Sequence, residues 1–300
     1  MDMTINVDNE NIYNIRVAAV CTYGDYYVVD DSNKGYVVHV GGRLKYNETI
    51  NEAITREINE ELGIDVNPTL VGLHEAFFSF NDTNIHEHLF LFTVDISDYD
   101  LSNKDSYIRL IKKDEIDNYI VYPLDWKKAL NRTNDDIGIE TRIEKQMYQD
   151  KDLTFEFGKK DDNEQEYHFR VSALIRKGNK VLIDESARFL QHLIPIGGRL
   201  HFGETVNEGL IREVQEELNC TIKSSTFRGI GEDFFIFSNH RQIHFISAVF
   251  EIELNEEKYT GGDGTVPIWM DIAELNPTNT KMMSFVQFLK EKEISHAVNR

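Results

Sequence analysis

The 300-residue chain has only two cysteines and five prolines, and it carries no long hydrophobic run. Cys21 and Cys220 lie far apart and form no CxxC pair, which argues against a disulfide framework or a zinc site. No apolar stretch approaches the length of a membrane span, and the N-terminal residues lack the basic and apolar segments of a signal peptide. We therefore expect a cytoplasmic protein with no membrane partner.

Basic residues are also scarce, because 32 Lys and Arg face 52 Asp and Glu, for a net charge of -20. The first 150 residues carry -14 of this charge and the rest carry -6. Such a field repels polyanions, so we expect no nucleic-acid partner, and a phosphate substrate would need metal ions beside it. A small phosphorylated metabolite or nucleotide fits as the ligand, whereas the oligomeric state is left open.

One acidic motif occurs twice. Gly42 to Ile64 reads GRLKYNETINEAITREINEELGI, and 156 positions later Gly198 to Cys220 reads GRLHFGETVNEGLIREVQEELNC. Hydrophobic content of 41% and charged content of 28% are typical of a folded globular protein. A repeat that halves the chain predicts two domains, residues 1–148 and residues 149–300.

Short runs of aliphatic and aromatic residues flank the motif in the same order in both halves, and they predict two strand-rich sheets. We expect closing helices near Leu124–Leu130 and Lys281–Lys292. The polar stretch Asn131–Asp150 is the best connection between domains, although Ile137–Tyr148 within it is open to a helix.

The motif itself predicts a helix with a defined start. Each copy contains a capping box, in which a Glu three residues after a Thr accepts a hydrogen bond from the Thr amide. The pairs are Thr49 with Glu52 and Thr205 with Glu208. Aliphatic residues recur every four positions and predict the buried stripe. They are Ile50, Ile54, Ile58 and Leu62 in the first copy, and Val206, Leu210, Val214 and Leu218 in the second.

Three glutamates of each helix fall within roughly a third of its circumference, at about 100° per residue. These are Glu57, Glu60 and Glu61, and Glu213, Glu216 and Glu217. Clustered carboxylates repel one another unless cations compensate, and hard divalent cations prefer oxygen ligands. An alternative is a solvated acidic face in which Arg56 bridges Glu52 and Glu60. The duplication and the glycine loop before each helix favour the metal site.

The pattern G-x5-E-x7-R-E-U-x-E-E-x-G-U, where U is aliphatic, resembles the Nudix box over its whole length. The first copy matches at Gly42, Glu48, Arg56, Glu57, Ile58, Glu60, Glu61, Gly63 and Ile64. The second matches at Gly198, Glu204, Arg212, Glu213, Val214, Glu216 and Glu217. Asn219 and Cys220 depart from the pattern, but Asn is the best substitute for Gly in a left-handed helix cap, so the metal face is expected to persist.

The resemblance implies an α/β (α+β) fold with two tandem Nudix domains, each a mixed β-sheet sandwiched between helices. It also implies hydrolysis of a diphosphate bond in a nucleoside diphosphate linked to another group, with Mg or Mn as cofactor. Implied metal ligands are Gly41, Glu57, Glu60 and Glu61, and in the second copy Gly197, Glu213, Glu216 and Glu217. Implied catalytic residues are Arg56, Glu57, Glu61, Arg212, Glu213 and Glu217. Glu48 and Glu204 are implied supports or ligands.

The base that activates the attacking water is less defined. Glu87 is a candidate for the base or an extra ligand, and an exposed strand carboxylate is the equal alternative. The second half has no Glu in the aligned region, so Glu213 is the fallback there.

Three further groups are weaker candidates. Each half has a pair of adjacent aromatic residues in a strand. We expect one ring of each pair to lie in the core rather than to stack on a nucleobase. The pairs are Phe77 with Phe78 and Phe234 with Phe235. Duplicated cations fit phosphate contacts and surface ion pairs equally well, and they are Arg16, Arg43, Arg170 and Arg199. His86, His88 and His244 are expected to be strand or loop residues rather than metal ligands.

Two functions from different classes follow. The first is a tandem hydrolase in which at least the first domain is catalytic. The second is a nucleotide-binding or sensing protein in which one domain catalyses and the other binds ligand or forms an interface. ADP-ribose, nucleotide sugars, dinucleoside polyphosphates, nucleoside triphosphates and RNA ends all stay open as substrates, and the acidic charge disfavours RNA ends.

Overall fold

The computed structural model describes residues 4–8, 10–32, 35–132, 137–144, 154–160, 163–189, 192–237, 242–280, 282–291 and 294–300. The chain divides into two compact units, Met1–Gln146 and Met147–Arg300. The predicted boundary between residues 148 and 149 lies outside the described residues, so that division stays a prediction. Within the described ranges, no helix is both long enough and apolar enough to cross a membrane.

The first unit is a mixed nine-stranded sheet with two α-helices among its described residues. Its elements are β1 (Thr4–Asn6), β2 (Asn11–Tyr23), β3 (Tyr26–Asp30), β4 (Val37–Arg43), α1 (Ile50–Leu62), β5 (Thr69–Phe80), β6 (Thr83–Asp95), β7 (Ile108–Lys112), β8 (Val121–Tyr122), α2 (Trp126–Leu130) and β9 (Gly138–Ile143). The strand order is β7-β3-β4-β2-β6-β5-β9, with β1 beside β2 and β8 beside β4.

Strand β2 organises this sheet. One edge runs parallel to β6 from Asn11 to Thr22, and the other edge pairs in turn with β1, β4 and β3. The pairing with β4 sets Gly41 opposite Ala18 and Gly42 opposite Val17. The glycine pair that precedes α1 is therefore anchored to the centre of the sheet.

The two faces of the sheet are covered by different helices. Ala18 and Leu91 pack in one buried cluster with Trp126 of α2. Side chains alternate along a strand, so the buried Val17 and Phe90 face the other side, where α1 contacts β2 and β4. The predicted stripe of α1 is confirmed, since all four of its aliphatic residues are fully buried. The sheet thus lies between helices, as the fold prediction states.

The second unit has a similar order of strands and helices, but its strands form two sheets. Its elements are β10 (Thr154–Lys160), β11 (Asn163–Leu174), β12 (Arg176–Lys177), β13 (Lys180–Phe189), β14 (His192–Pro195), α3 (Val206–Leu218), β15 (Ile222–Ile236), β16 (Gln242–Leu254), β17 (Pro267–Asp271), α4 (Met283–Lys290) and β18 (His296–Asn299). One sheet has the order β10-β11-β16-β15-β18, and the other joins β12, β13 and β14 with β17 beside β13. The predicted stripe of α3 is buried as well.

The closing helices are confirmed with shorter bounds. Helix α2 begins at Trp126 rather than at Leu124, and α4 spans Met283–Lys290. Of the predicted ends of the second helix, residues 281 and 292 lie outside the described residues. Helix α4 packs against β15 and β18 of the second unit.

The expectation of a helix within residues 137–148 is wrong over its first part. Gly138–Ile143 forms β9, which runs parallel to Gly72–Phe77 of β5. The open edge of β5 supplies ladder hydrogen bonds to a segment rich in Ile and Thr, which favours a strand over an isolated helix. Residues 145–148 lie outside the described ranges. In the second unit β18 adds to β15 in the same parallel way.

Candidate functional site

The glycine pair brings the backbone close to the carboxylates. Gly41 has φ +153° and Gly197 has φ +128°, and a Cβ at either would collide with the carbonyl oxygen of Val17 or Val171. A Cβ at Gly42 would overlap the carboxylate of Glu57. Only glycine therefore allows β4 to approach β2 this closely while a carboxylate lies against the chain.

Both acidic helices begin with the predicted capping box. The Thr49 hydroxyl accepts from the Glu52 amide at 3.1 Å, and the Glu52 carboxylate accepts from the Thr49 amide at 2.8 Å. Thr205 and Glu208 show the same distances. The Glu52 carboxylate is thus engaged at the helix start, and Arg56 Nη1 contacts Glu60 Oε2 at 3.3 Å.

Both helices also end in a left-handed residue. Gly63 has φ 70° and donates to Asn59 O at 2.9 Å, and Asn219 has φ 54° and donates to Gln215 O at 3.0 Å. The Asn219 amide group also donates to Thr260 O at 3.2 Å. The prediction that Asn replaces Gly without loss of the cap is confirmed.

Arg56 orders the first carboxylate cluster. It donates Nε and Nη2 to the two oxygens of Glu48, at 2.9 and 2.7 Å. Nη1 donates to Glu57 Oε1 at 2.6 Å and to Glu60 Oε2 at 3.3 Å, and Nη2 reaches Arg43 O at 3.1 Å. The bidentate pair with Glu48 fixes the guanidinium plane, and that plane in turn orients Glu57.

Arg212 makes the same set of contacts in the second unit. It donates to the two oxygens of Glu204 at 2.7 and 2.9 Å, to Glu213 Oε1 at 2.8 Å and to Glu216 Oε2 at 3.0 Å. Its Nη2 reaches Arg199 O at 2.9 Å. The two clusters are therefore equivalent in donors, acceptors and backbone support.

Among the three carboxylates of the first cluster, Glu61 has the surroundings best suited to a cation. Its side chain is 8% exposed, and Oε2 has no hydrogen-bond partner among the described residues. Burial raises the pKa of Glu61 to about 8, helped by the negative charges of Asp30 and Glu57, while a backbone hydrogen bond from Gly41 opposes the rise. A buried carboxylate oxygen beside two other acids is suited to a divalent cation.

The second cluster has the same character with more positive charge nearby. Gly197 N donates to Glu217 Oε2 at 2.9 Å, and burial raises the pKa of Glu213. Arg170 opposes that rise and donates Nη2 to Gly197 O at 3.1 Å. This contact leaves a second lone pair on the Gly197 carbonyl for a cation. The residues present in both units fit a magnesium or manganese ion.

A cavity of about 530 Å³ adjoins the second cluster. Its lining contains the glycine pair and the three carboxylates, together with His168, Arg170, Arg199, His201 and Phe245. Arg170 lies over the Phe245 ring, with Cζ 5.5 Å from the ring centroid. Cationic and aromatic groups therefore stand beside an anionic metal face.

The four duplicated arginines form two cross-strand pairs. Arg16 lies opposite Arg43, and Arg170 lies opposite Arg199. Arg43 is exposed, whereas Arg170 and Arg199 line the cavity. The position of the second pair supports the phosphate-contact alternative more than the surface ion pair.

Glu87 is buried at 3% exposure, so the alternative of an exposed strand carboxylate is wrong. The Tyr122 hydroxyl donates to Glu87 Oε1, and Asn14 Nδ2 lies 3.5 Å from Oε2. The carboxylate raises the pKa of Tyr122, after burial, which is the larger cause. Tyr122 was not a sequence candidate, because no local pattern connects it to a residue 35 positions away.

The second unit replaces Glu87 with an aromatic residue. Strand pairing sets Glu87 opposite Asn14 and Phe245 opposite His168, at corresponding places relative to Arg16 and Arg170. The position that corresponds to Glu87 is therefore Phe245, in agreement with the sequence, which has no Glu in the aligned region.

Of the paired aromatics, only Phe77 is fully buried. Phe78, Phe234 and Phe235 are half-buried, and Phe235 packs against the buried core cluster of the second unit, so one ring of each pair contacts a core. His86, His88 and His244 lie in strands, as expected, and contact buried glutamates that the sequence did not single out, Glu75 and Glu232.

No curated protein matches the chain in sequence. Among solved structures, the MutT protein of Bacillus halodurans is 16% identical with a TM-score of 0.36, over 44% of this chain and 86% of that chain. A hydrolase of the NUDIX family from Clostridium perfringens is 19% identical with a TM-score of 0.32, over 41% and 96% of the respective chains.

A NUDIX hydrolase of Nitrosomonas europaea is 19% identical with a TM-score of 0.35, over 43% of this chain and 92% of that chain. These values are too low to carry the assignment. The model of the NUDIX domain matches residues 14–138 and again residues 166–287, which is more than half of the chain. The chain therefore belongs to the Nudix family and contains two successive Nudix domains.

Proposed function

We propose that the chain is a hydrolase that cleaves a diphosphate bond in a nucleoside diphosphate linked to another group, with Mg²⁺ or Mn²⁺ as cofactor. The observation that carries the proposal is the buried Oε2 of Glu61, which has no hydrogen-bond partner among the described residues. It lies on the same helix as Glu57, whose carboxylate is held by Arg56. A carboxylate buried beside other acids is neutralised either by a proton, as the raised pKa of Glu61 allows, or by a cation bound to its oxygens.

In the first domain Glu57, Glu60, Glu61 and the carbonyl of Gly41 would hold the cation. When bound, it would neutralise charge on the diphosphate and favour ionisation of a water molecule. Arg56 is a positioning residue, because its bidentate contact with Glu48 orients Glu57. Glu57, Glu61 and Arg56 together form the catalytic set that we propose.

Glu87 is the proposed base of the first domain. Its carboxylate is buried and accepts a hydrogen bond from Tyr122, which fixes the orientation of the group. A fixed carboxylate can accept a proton from a water molecule without first losing rotational freedom.

The second domain would hold its cation with Glu213, Glu216, Glu217 and the carbonyl of Gly197. Arg212 is the corresponding positioning residue, and Arg170 and Arg199 lie where a phosphate group would meet the cavity. In the absence of a Glu87 counterpart, Glu213 is the base that this domain would use.

A second candidate function is that one domain catalyses while the other binds or senses a nucleotide. The observation that favours it is the replacement of Glu87 by Phe245, beside a cavity of about 530 Å³ lined by Arg170. A site with cationic and aromatic groups but no strand carboxylate favours retention of a phosphorylated ligand over its turnover.

The ligand in either case is proposed to be a small phosphorylated metabolite or nucleotide of the cytoplasm. The test is a turnover screen over nucleotide sugars, ADP-ribose, dinucleoside polyphosphates and nucleoside triphosphates, with and without Mg²⁺ or Mn²⁺. We expect turnover of at least one compound, and only when the cation is present.

Any compound that is turned over is then tested with Glu61→Gln and Glu217→Gln. Glu253→Gln is the matched control, because this carboxylate is 65% exposed in a surface ion pair with Lys223. Loss in Glu61→Gln, by more than about 100-fold, supports catalysis in the first domain. A loss confined to that variant assigns binding to the second domain, and unchanged turnover in both variants rejects the proposed catalytic set.

A further inference from the structure

A buried cluster of metal-ligating side chains lies away from the acidic helix, on β5 and β6. Glu75, His86 and His88 are each at most 1% exposed. Their ligand atoms all lie within 4.8 Å of one another. The cluster uses no residue of the Arg56 network.

The two imidazoles converge on a single carboxylate oxygen. His88 Nε2 lies 3.1 Å from Glu75 Oε1, and His86 Nε2 lies 3.9 Å from the same atom. The second separation is too long for a hydrogen bond. A tetrahedral zinc ion with bonds of about 2 Å holds its ligand atoms about 3.3 Å apart, and the two observed separations bracket that value.

Neighbouring groups orient each of the three side chains. The Tyr13 hydroxyl contacts His88 Nδ1 at 2.6 Å, so the other ring nitrogen of His88 faces the cluster. Thr141 of β9 donates to Glu75 Oε2 at 3.0 Å, which leaves Oε1 for the imidazoles. The Phe77 ring stacks on His86 with centroids 4.3 Å apart. In metal sites, the coordinating side chains are usually held in place by such contacts to the atoms that do not face the metal.

The second domain shows how the same residue types look when hydrogen bonds alone connect them. His244 Nε2 lies 2.9 Å from Glu232 Oε2, whereas His296 Nε2 lies 2.7 Å from Oε1. Each oxygen therefore has its own imidazole at hydrogen-bond distance, and the nitrogens do not converge on one atom. The difference between the two domains argues that the cluster in the first has another purpose.

Electrostatics supports a cation at this place. The Glu75 carboxylate is an acidic group at 1% exposure, and two imidazoles face it. A fully buried anion is costly unless a positive charge faces it. A proton shared with one imidazole is one source of that charge, and a divalent ion is the other.

We propose that Glu75, His86 and His88 form a Zn²⁺ site that joins β5 to β6 in the core of the first domain. Two imidazoles and a carboxylate are a ligand set suited to zinc. The proposal departs from the expectation that the histidines are strand residues alone, and from the argument against a zinc site, which rested on the cysteines.

The test uses the full chain, since a buried site is loaded as the protein folds. The chain is unfolded, refolded with Zn²⁺, and dialysed against a chelator strong enough to strip cations from solvent-facing carboxylates. Bound zinc is then counted by mass spectrometry of the metal. We expect about one zinc ion per chain to be retained.

His86→Gln and His88→Gln are expected to abolish retention, whereas His244→Gln, the matched variant in the second domain, retains the zinc. Circular dichroism establishes that each variant is folded. A wild-type chain that refolds and keeps no zinc overturns the proposal, as does equal loss in His244→Gln.

A second measurement decides the matter if the His86 and His88 variants fail to fold. Refolding of the wild-type chain with Co²⁺ should give the strong visible absorption of a tetrahedral, nitrogen-ligated ion, and added Zn²⁺ should remove it. A spectrum with only the weak bands of octahedral cobalt rejects the site.

Discussion

The two acidic helices are alike in nearly every contact, whereas the strands beside them differ. Arg56 and Arg212 bind corresponding groups, with every matched distance within a few tenths of an ångström. In the neighbouring strands, Glu87 with Tyr122 stands where the second domain has Phe245 and a cavity. The proposed metal-binding residues are close together in sequence, whereas Glu87 and Phe245, beside them, lie on distant strands and differ between the domains.

The charges around the two carboxylate clusters also differ. In the first domain, negative neighbours add to burial in raising the pKa of Glu61 to about 8. In the second, Arg170 stabilises the ionised forms of Glu213 and Glu217 through its positive charge. For an anionic substrate, we expect turnover to depend more strongly on the cation in the first domain than in the second.

The largest difference is expected from the strand carboxylate. Glu87→Gln should lower turnover by the first domain by about 100-fold, because the substituted amide cannot accept a proton from water. Tyr122→Phe keeps the carboxylate and removes its hydrogen bond, so we expect a loss of about 10-fold. Steady-state kinetics on any compound found in the screen gives both numbers. Unchanged kcat in Glu87→Gln would mean that Glu87 only holds Tyr122.

The glycine pair offers a matched test of how closely the two helices correspond. Gly42→Ala and Gly198→Ala each force a methyl group into the carboxylate of Glu57 or Glu213. Displacement of that carboxylate from Arg56 or Arg212 should cost about 1–3 kcal/mol in each domain, because a hydrogen bond between charged groups is lost. Hydrogen exchange of the α1 and α3 amides measures the cost for each domain separately. A loss of stability in only one of the two domains would show that the two carboxylate clusters are not equivalent.

The capping boxes should respond equally and more weakly. Thr49→Ala and Thr205→Ala each remove an acceptor for a helix amide, at a cost of about 1 kcal/mol. Amide exchange in the first turn of each helix is the measurement, with the exposed Glu253→Gln as a control. If the losses of free energy in the two variants differ by much more than about 1 kcal/mol, the two helix starts are not equivalent.

The smallest effect is expected at the position where the second copy departs from the family pattern. Asn219→Gly keeps the left-handed cap and loses the two exposed hydrogen bonds from the side-chain amide to Thr260. The change in unfolding free energy should stay within about 0.5 kcal/mol. Affinity for Mn²⁺ should not change. A weaker cation affinity would mean that Asn219 does more than end the helix.

Local patterns in the sequence predicted the caps, the buried stripes and the carboxylate clusters. Each depends on residues within one helix turn or one loop, such as Thr49 with Glu52, and helical periodicity is enough to relate them. The left-handed Asn219 was predictable for the same reason.

Contacts between distant segments were not predictable. Strand β9 depends on the free edge of β5, and nothing within Gly138–Ile143 identifies that partner. The burial of Glu87 by Tyr122 and the convergence of His86 and His88 on Glu75 likewise depend on strand register. A shift of one residue in register would turn each of these side chains to the opposite face.

The most direct test of the account is Mn²⁺ binding by the full chain, measured by calorimetry in four proteins. These are the wild type, Glu61→Gln, Glu217→Gln and the double variant, with Glu253→Gln as the control. The account predicts that each single variant weakens the binding of one domain and that the double variant loses both. Binding by the double variant that equals the wild type would contradict the assignment of the two carboxylate clusters as cation sites.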